Sequence, residues 1–146
     1  MDDTALRVDR LPAVTSTSID DVIHGFVPTR RFAQVSFENY QPDAQYPSQL
    51  VARDRLRTFA THIGQSRRAH LLKRLLRKLP EGPQSIYLDG GYGVGKTHLL
   101  AATYHAVEDQ RLYLSFGELA YTISRLGLDA TLRALENTRL LSLIHI

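Results

Sequence analysis

Eight consecutive residues carry the plainest chemistry: Gly90, Gly91, Tyr92, Gly93, Val94, Gly95, Lys96 and Thr97. They fit G-x-x-x-x-G-K-[ST], the Walker A pattern, whose physical use is to hold phosphate. Glycines let the backbone close around phosphate oxygens where a side chain would collide. Backbone N–H groups then face the anion, helped by the positive end of a following helix. Lys96 is placed to reach the β and γ phosphates, and Thr97 to offer its hydroxyl to Mg2+. A glycine-rich turn can match by accident, but the flanks argue otherwise. Residues 85–89 (SIYLD) read as a short apolar strand, and residues 97–107 as the helix that follows. A dinucleotide fingerprint fits poorly, because it has no use for Lys96 and Thr97. The loop points to a nucleoside triphosphate without naming the base.

The elements ahead of the loop are helical. Ala52, Leu56, Phe59, Ala60 and Ile63 recur at helical spacing, predicting a helix over 47–63 that Gly64 ends. Ser66 can cap a second helix with the stripe Leu71, Leu72, Leu75, Leu76 and Leu79, which Pro80, Gly82 and Pro83 stop. Nine of the chain's 18 basic residues fall here: Arg53, Arg55, Arg57, Arg67, Arg68, Lys73, Arg74, Arg77 and Lys78. Asp54 is the only acid among them. Such a face could meet nucleic acid, acidic lipid or an acidic protein, or simply be solvated. Phe59 is its only aromatic and faces inward, which weighs against binding to single strands.

Residues 1–46 read as an arm. Residues 1–18 are polar and expected to be loose, 19–27 could be helix or strand, and 39–43 carry turn chemistry. Phe32, Val35 and Phe37 are too sparse to specify a strand. The arm cannot bury a core of its own; it either lies against the phosphate-binding element or is a disordered leader.

Beyond the loop, 111–116 reads as a strand broken by Gly117, and 118–126 as a helix ended by Gly127. Asp129 caps a helix to about Thr138, and 140–144 reads as a parallel core strand. This rhythm predicts an α/β fold: an incomplete P-loop NTPase (AAA-like) parallel sheet with helices, preceded by an arm and two basic amphipathic helices. The expected division is an arm over 1–46 and the N-terminal part of a P-loop ATPase domain over 47–146. With so short a sheet, Leu112, Leu114, Leu141 and Leu143 are expected to stay partly uncovered.

Composition sets the remaining bounds. The chain has 146 residues, a net charge of +3 and no cysteine, which excludes disulfides and thiolate metal sites. The six histidines lack metal-ligand spacing. The charged opening MDDTALRVDR is not a secretory signal, and no apolar run is long enough to span a bilayer, so a cytoplasmic location is the default.

Taken together, residues 28–141 resemble the ZapE-type cell-division ATPases. The matching stretches are Arg31-Phe32, Phe37-x-x-Tyr40-x-Pro42, Pro47-Ser48-Gln49, and the run from Tyr87 through Thr97 to His98-Leu99-Leu100, then the helix and strand up to Arg139-Leu140-Leu141. The resemblance implies an AAA-related ATPase that uses ATP and Mg2+ and oligomerises. It also implies association with the division machinery and its tubulin-like ring protein at the inner face of the membrane. Carried over by position, Gly90 through Thr97, with His98, form the nucleotide-binding stretch, and Thr97 takes the metal role. In that family the strand at this place reads Leu-Leu-x-Ile-Asp-Glu-Phe. This chain has Leu140-Leu141-Ser142-Leu143-Ile144-His145-Ile146, with Ile144 and His145 in place of the two acids. The expectation is a fragment, truncated at the Walker B strand, that binds ATP and does not turn it over. Two alternatives stand beside it: a noncatalytic nucleotide-binding or adaptor module docking an anionic partner, and a DNA-associated loader-type ATPase.

Overall fold

A stripe of apolar residues at 52, 56, 59, 60 and 63 needs a helix to bring it onto one face. In the computed structural model, which describes residues 25–76, 85–136 and 138–145, that helix is α1, Pro47–Leu76. Pro47 occupies the first helical position, where its missing N–H costs nothing. Leu56 and Ala60 are buried, with Ala52, Phe59 and Ile63 packed around them.

The sequence predicts a helix end at Gly64, and the structure carries α1 straight through it. A glycine stops a helix by turning left-handed, and Gly64 does not take a positive φ. Inside a helix it costs only about 1 kcal/mol relative to alanine, which a 30-residue helix absorbs. The expected two helices are therefore one over this range. Of the second stripe and its basic face, the side chains of Arg67, Arg68 and residues 71–76 lie outside what the structure describes. Arg77, Lys78, Leu79 and the stop at Pro80 lie outside the described residues, as does the arm before residue 25.

The remaining elements are α2, Lys96–Ala106; β1, Arg111–Ser115; α3, Phe116–Leu126; α4, Leu128–Glu136; and β2, Leu140–Ile144. β1 and β2 pair in parallel, with Leu112 opposite Leu141 and Leu114 opposite Leu143. The fold is α/β, with a small parallel sheet joined through the α3–α4 crossover. Residues 85–89, expected as a strand, join no ladder. Ile86 and Leu88 are half-buried against α1 and α2 while Tyr87 is exposed, so the strand's in-out alternation is present. Alternation is local, but a ladder needs a partner at the right register.

Two local signals place β1 and α3. Ser115 accepts a hydrogen bond from the Glu118 amide at 3.1 Å, and the Glu118 carboxylate accepts one from the Ser115 amide at 2.7 Å. This capping box starts α3 at Phe116, one residue before the Gly117 break that the sequence suggests. Gly127 ends α3 as expected, with φ 82°. On the other side, the Arg111 guanidinium donates to the carbonyls of Tyr104 (2.8 Å), His105 (3.2 Å) and Val107 (2.6 Å). It also lies 4.4 Å from the Tyr104 ring centre. A cation on these carbonyls complements the negative end of α2 and closes the helix.

The core has two parts around α2. Phe37 and Tyr40 from the arm meet Leu56 and Ala60 of α1, Leu99 and Ala102 of α2, and Leu140 of β2. On a neighbouring side Ala101 and Tyr104 meet Tyr113 and Ile144. The uncovered face is smaller than the sequence predicts. Leu112 and Leu114 are buried at 4% and 2% exposure, while Leu141 and Leu143 remain exposed at 41% and 40%. α3 packs against β1, and the β2 side of that face stays open among the described residues. No helix there is long and apolar enough to cross a membrane.

The Gly64 environment yields a test with an unambiguous sign. Nothing lies within 4 Å of a Cβ added at Gly64. Gly64→Ala should therefore stabilise the chain by about 0.5–1 kcal/mol in urea denaturation. A loss of stability would mean that the helix ends there after all.

Candidate functional site

The site is built from the arm upward. Ser36 and Asn39 close a tight turn: the Asn39 side chain accepts from the Ser36 amide at 2.8 Å, and Ser36 Oγ accepts from the Glu38 and Asn39 amides at 3.2 and 3.3 Å. The Asn39 amide group also donates to Gln34 O at 3.0 Å. This turn drives Phe37 and Tyr40 inward. Glu38 stays outside and pairs with Arg57 of α1 at 2.8 Å. Its carboxyl is held below the ordinary value, first by the Ser36 hydrogen bond and also by the Arg57 charge. Arg53 pairs with Asp54, also at 2.8 Å. The basic face is therefore opposed by Glu38 as well as Asp54, because the arm folds back over α1, which the local sequence does not record.

The glycine loop follows, and its conformation explains its composition. Gly90, Gly93 and Gly95 have φ of 144°, 79° and 86°, a region that side-chain-bearing residues rarely adopt. The Asp89 carboxylate accepts from the Gly90 amide at 2.7 Å and fixes the entry to the turn. Gly91, Tyr92 and Gly93 are exposed, and Tyr92 is wholly so. Gly95 is the N-cap of α2, with no side-chain cap, so the amides of Lys96, Thr97 and His98 have no intrahelical acceptor. The Lys96 ammonium turns back across the loop and donates to Gly90 O at 2.6 Å and Gly91 O at 2.7 Å.

One short turn thus gathers the eight residues from Gly90 to Thr97. Positive charge, helix-end amides and side-chain-free backbone are its chemistry, and an anion with several oxygens is what such a donor set takes. His98 differs. Its Nε2 lies 3.0 Å from Ser36 O, and its ring meets the Tyr40 ring edge-on at 5.3 Å, so its side chain faces the arm. Seven residues on, His105 Nε2 lies 2.9 Å from Phe32 O. Two turns apart on α2, the histidines strap the arm to the helix.

Tyr40 is the functional neighbour that periodicity gives no reason to choose. Its hydroxyl donates to Val94 O at 2.8 Å, and burial pushes its phenol pKa up, so it remains a protonated donor. The Phe37-x-x-Tyr40-x-Pro42 spacing marks this tyrosine, but only folding reveals what it touches.

At the end of β2, Ile144 is buried against Ala101, Tyr104 and Tyr113. His145 is exposed, with its ring 6.4 Å from that of Phe116. Neither side chain supplies a carboxylate.

A family model described as AFG1-like ATPase matches residues 24–123, a stretch that includes the glycine loop, α1, α2 and β1 and runs into α3. No curated protein and no solved structure matches the chain.

The loop geometry predicts the effect of one added methyl. A Cβ at Gly95 would stand 2.5 Å from Tyr40 Cε2 while the backbone holds φ 86°. Gly95→Ala should cost about 1–3 kcal/mol of stability from the backbone strain alone, measured by thermal or urea melting. A melt equal to that of the native chain would contradict the packing described.

Proposed function

This chain belongs to the AFG1-like ATPase family, and from that premise we propose that residues 90–97 bind ATP with Mg2+. The observation that carries the proposal is the turn itself: three left-handed glycines, a lysine folded across it, and a helix N-terminus behind it. Lys96 would meet the β and γ phosphates, exchanging the Gly90 and Gly91 carbonyls for anionic oxygens. The amides at the start of α2 would face the same phosphates. Thr97 would supply the hydroxyl for the metal. Mg2+, when bound, offsets negative charge on the phosphates. His98 belongs to this stretch through its backbone amide, since its ring is engaged by the arm.

Membership implies an ATPase, and the residues at the end of β2 decide how much of that activity this chain carries. Ile144 has no oxygen for a cation or its waters. His145 can hydrogen-bond water but lacks the fixed negative charge of an aspartate–glutamate pair. Nucleotide binding with little or no turnover, the noncatalytic reading, is favoured by this substitution. A docking role for the basic helix has less support, because Arg53 and Arg57 are already paired.

The finer proposals rest on the ZapE-type resemblance at Arg31-Phe32, Tyr40-x-Pro42 and Pro47-Ser48-Gln49. They are a cytoplasmic ATPase element preceded by an arm, working at the division ring and able to associate peripherally with the membrane. Co-sedimentation with polymers of the tubulin-like ring protein, with and without ATP, tests that link.

For the nucleotide itself, Lys96→Ala should weaken Mg–ATP binding about 10- to 100-fold, the loss expected for a charged hydrogen bond. Fluorescent-nucleotide titration of both proteins is the measurement, and equal affinities would defeat the assignment. Phosphate release from Mg–ATP should stay at the Lys96→Ala background in the chain as it stands. Clear turnover above that background would show that Ile144 and His145 are no obstacle.

A further inference from the structure

We propose that Tyr40 is a positioning residue for the phosphate loop, setting the direction of the Gly95 amide through its hydrogen bond to the Val94 carbonyl. The inference rests on the nucleotide-binding reading of residues 90–97.

The argument begins with the peptide plane. In a trans peptide the C=O and the following N–H point in opposite directions. Tyr40 Oη holds Val94 O at 2.8 Å, so the Gly95 N–H is turned to the side away from Tyr40. Were that peptide to flip, its carbonyl would take the amide's place and present a partial negative charge. Gly95 is free to flip, since its left-handed φ of 86° is open to glycine and it has no Cβ to resist. Something outside the loop must therefore choose the orientation, and the Tyr40 hydroxyl is placed to do so.

Three further contacts make Tyr40 a fixed point. The residue is 7% exposed and lies in the core with Phe37, Leu56 and Leu99. Its ring edge closes on Gly95, leaving no room for a methyl group. Its face toward α2 meets the His98 ring, which itself lies 3.0 Å from Ser36 O in the same arm turn. The arm thus touches residues 94, 95 and 98 at the junction of loop and helix. A change in how the arm sits on α1 and α2 would reach the loop through this tyrosine.

Tyr40→Phe keeps the ring and its packing and removes only the hydroxyl. The experiment compares the native chain, Tyr40→Phe and Lys96→Ala by titration with Mg–ATP and with inorganic tripolyphosphate. Thermal melts and the 1H–15N amide resonance of Gly95 in the unliganded chain are recorded alongside. Tyr40→Phe should bind both ligands about fivefold to tenfold more weakly, the loss of one hydrogen bond's worth of preorganisation. Its melt should stay close to native, and its Gly95 resonance should move or broaden. A purely structural role would lower the melt and leave the ligand affinity of the folded protein as it was. Native affinity in Tyr40→Phe, with affinity lost in Lys96→Ala, would overturn the role of Tyr40 and leave the phosphate site standing. If the native chain binds neither ligand, the site reading fails. An unshifted Gly95 resonance would independently overturn the control of the peptide by Tyr40.

Discussion

Leu99, Ala101, Ala102, Thr103 and Tyr104 of α2 are all buried, and together they circle the helix rather than line one face. A helix buried all round needs partners on every side. α1 and the arm supply one side through Leu56, Ala60, Phe37 and Tyr40, and the sheet supplies another through Tyr113, Leu140 and Ile144. Thr103 in that run donates to the Leu99 carbonyl at 2.8 Å, while the Tyr113 hydroxyl, whose ring meets Tyr104, is buried without a partner among the described residues. Small residues at 101 and 102 let the neighbours come close. The glycine loop is mounted on the N-terminus of this enclosed helix, and its precision derives from that enclosure.

The two ends of α2 are finished differently. At the C-terminus Arg111 gathers three carbonyls, matching a cation to the negative end of the helix. At the N-terminus Gly95 provides no side-chain cap. A serine or aspartate there would have satisfied an amide and competed with an anion for it. Closing one end while leaving donors at the other suits a helix whose N-terminus binds phosphate. The arm then acts from outside, through His98, His105 and Tyr40, on a helix it does not otherwise extend.

The end of β2 is the counterpoint to this site. β2 lies in register with β1, and Ile144 packs where the sheet meets α2. Placing an isoleucine there strengthens the core, whereas a carboxylate in the same position would need a cation or hydrogen-bond donors to offset its desolvation. The chain therefore combines a glycine-rich turn proposed to hold phosphate with a neighbouring strand end whose chemistry is that of packing. Exposed Leu141 and Leu143 on the same strand leave an apolar strip among the described residues.

The glycine spacing and the apolar helix after it were enough to mark a tight left-handed turn at a helix start, because left-handed backbone needs glycine, a local demand; phosphate as the ligand of that turn is the reading proposed from Lys96 and Thr97. The positions of β1, α3 and β2 were legible for the same reason, and the Ser115-x-x-Glu118 box would have placed the start of α3 more closely than Gly117 did. Gly64 misled because a glycine's influence depends on whether the chain beyond it turns, and here the helix continues through it. Residues 85–89 carry strand alternation without a ladder, since pairing belongs to two segments and not to one. The contacts of Tyr40 with Val94 and Gly95, and of Glu38 with Arg57, join residues far apart in the chain. Sequence fixes such residues' types, but their proximity exists only once α1, α2 and the arm share a core, so tertiary structure alone decided what holds the loop in place.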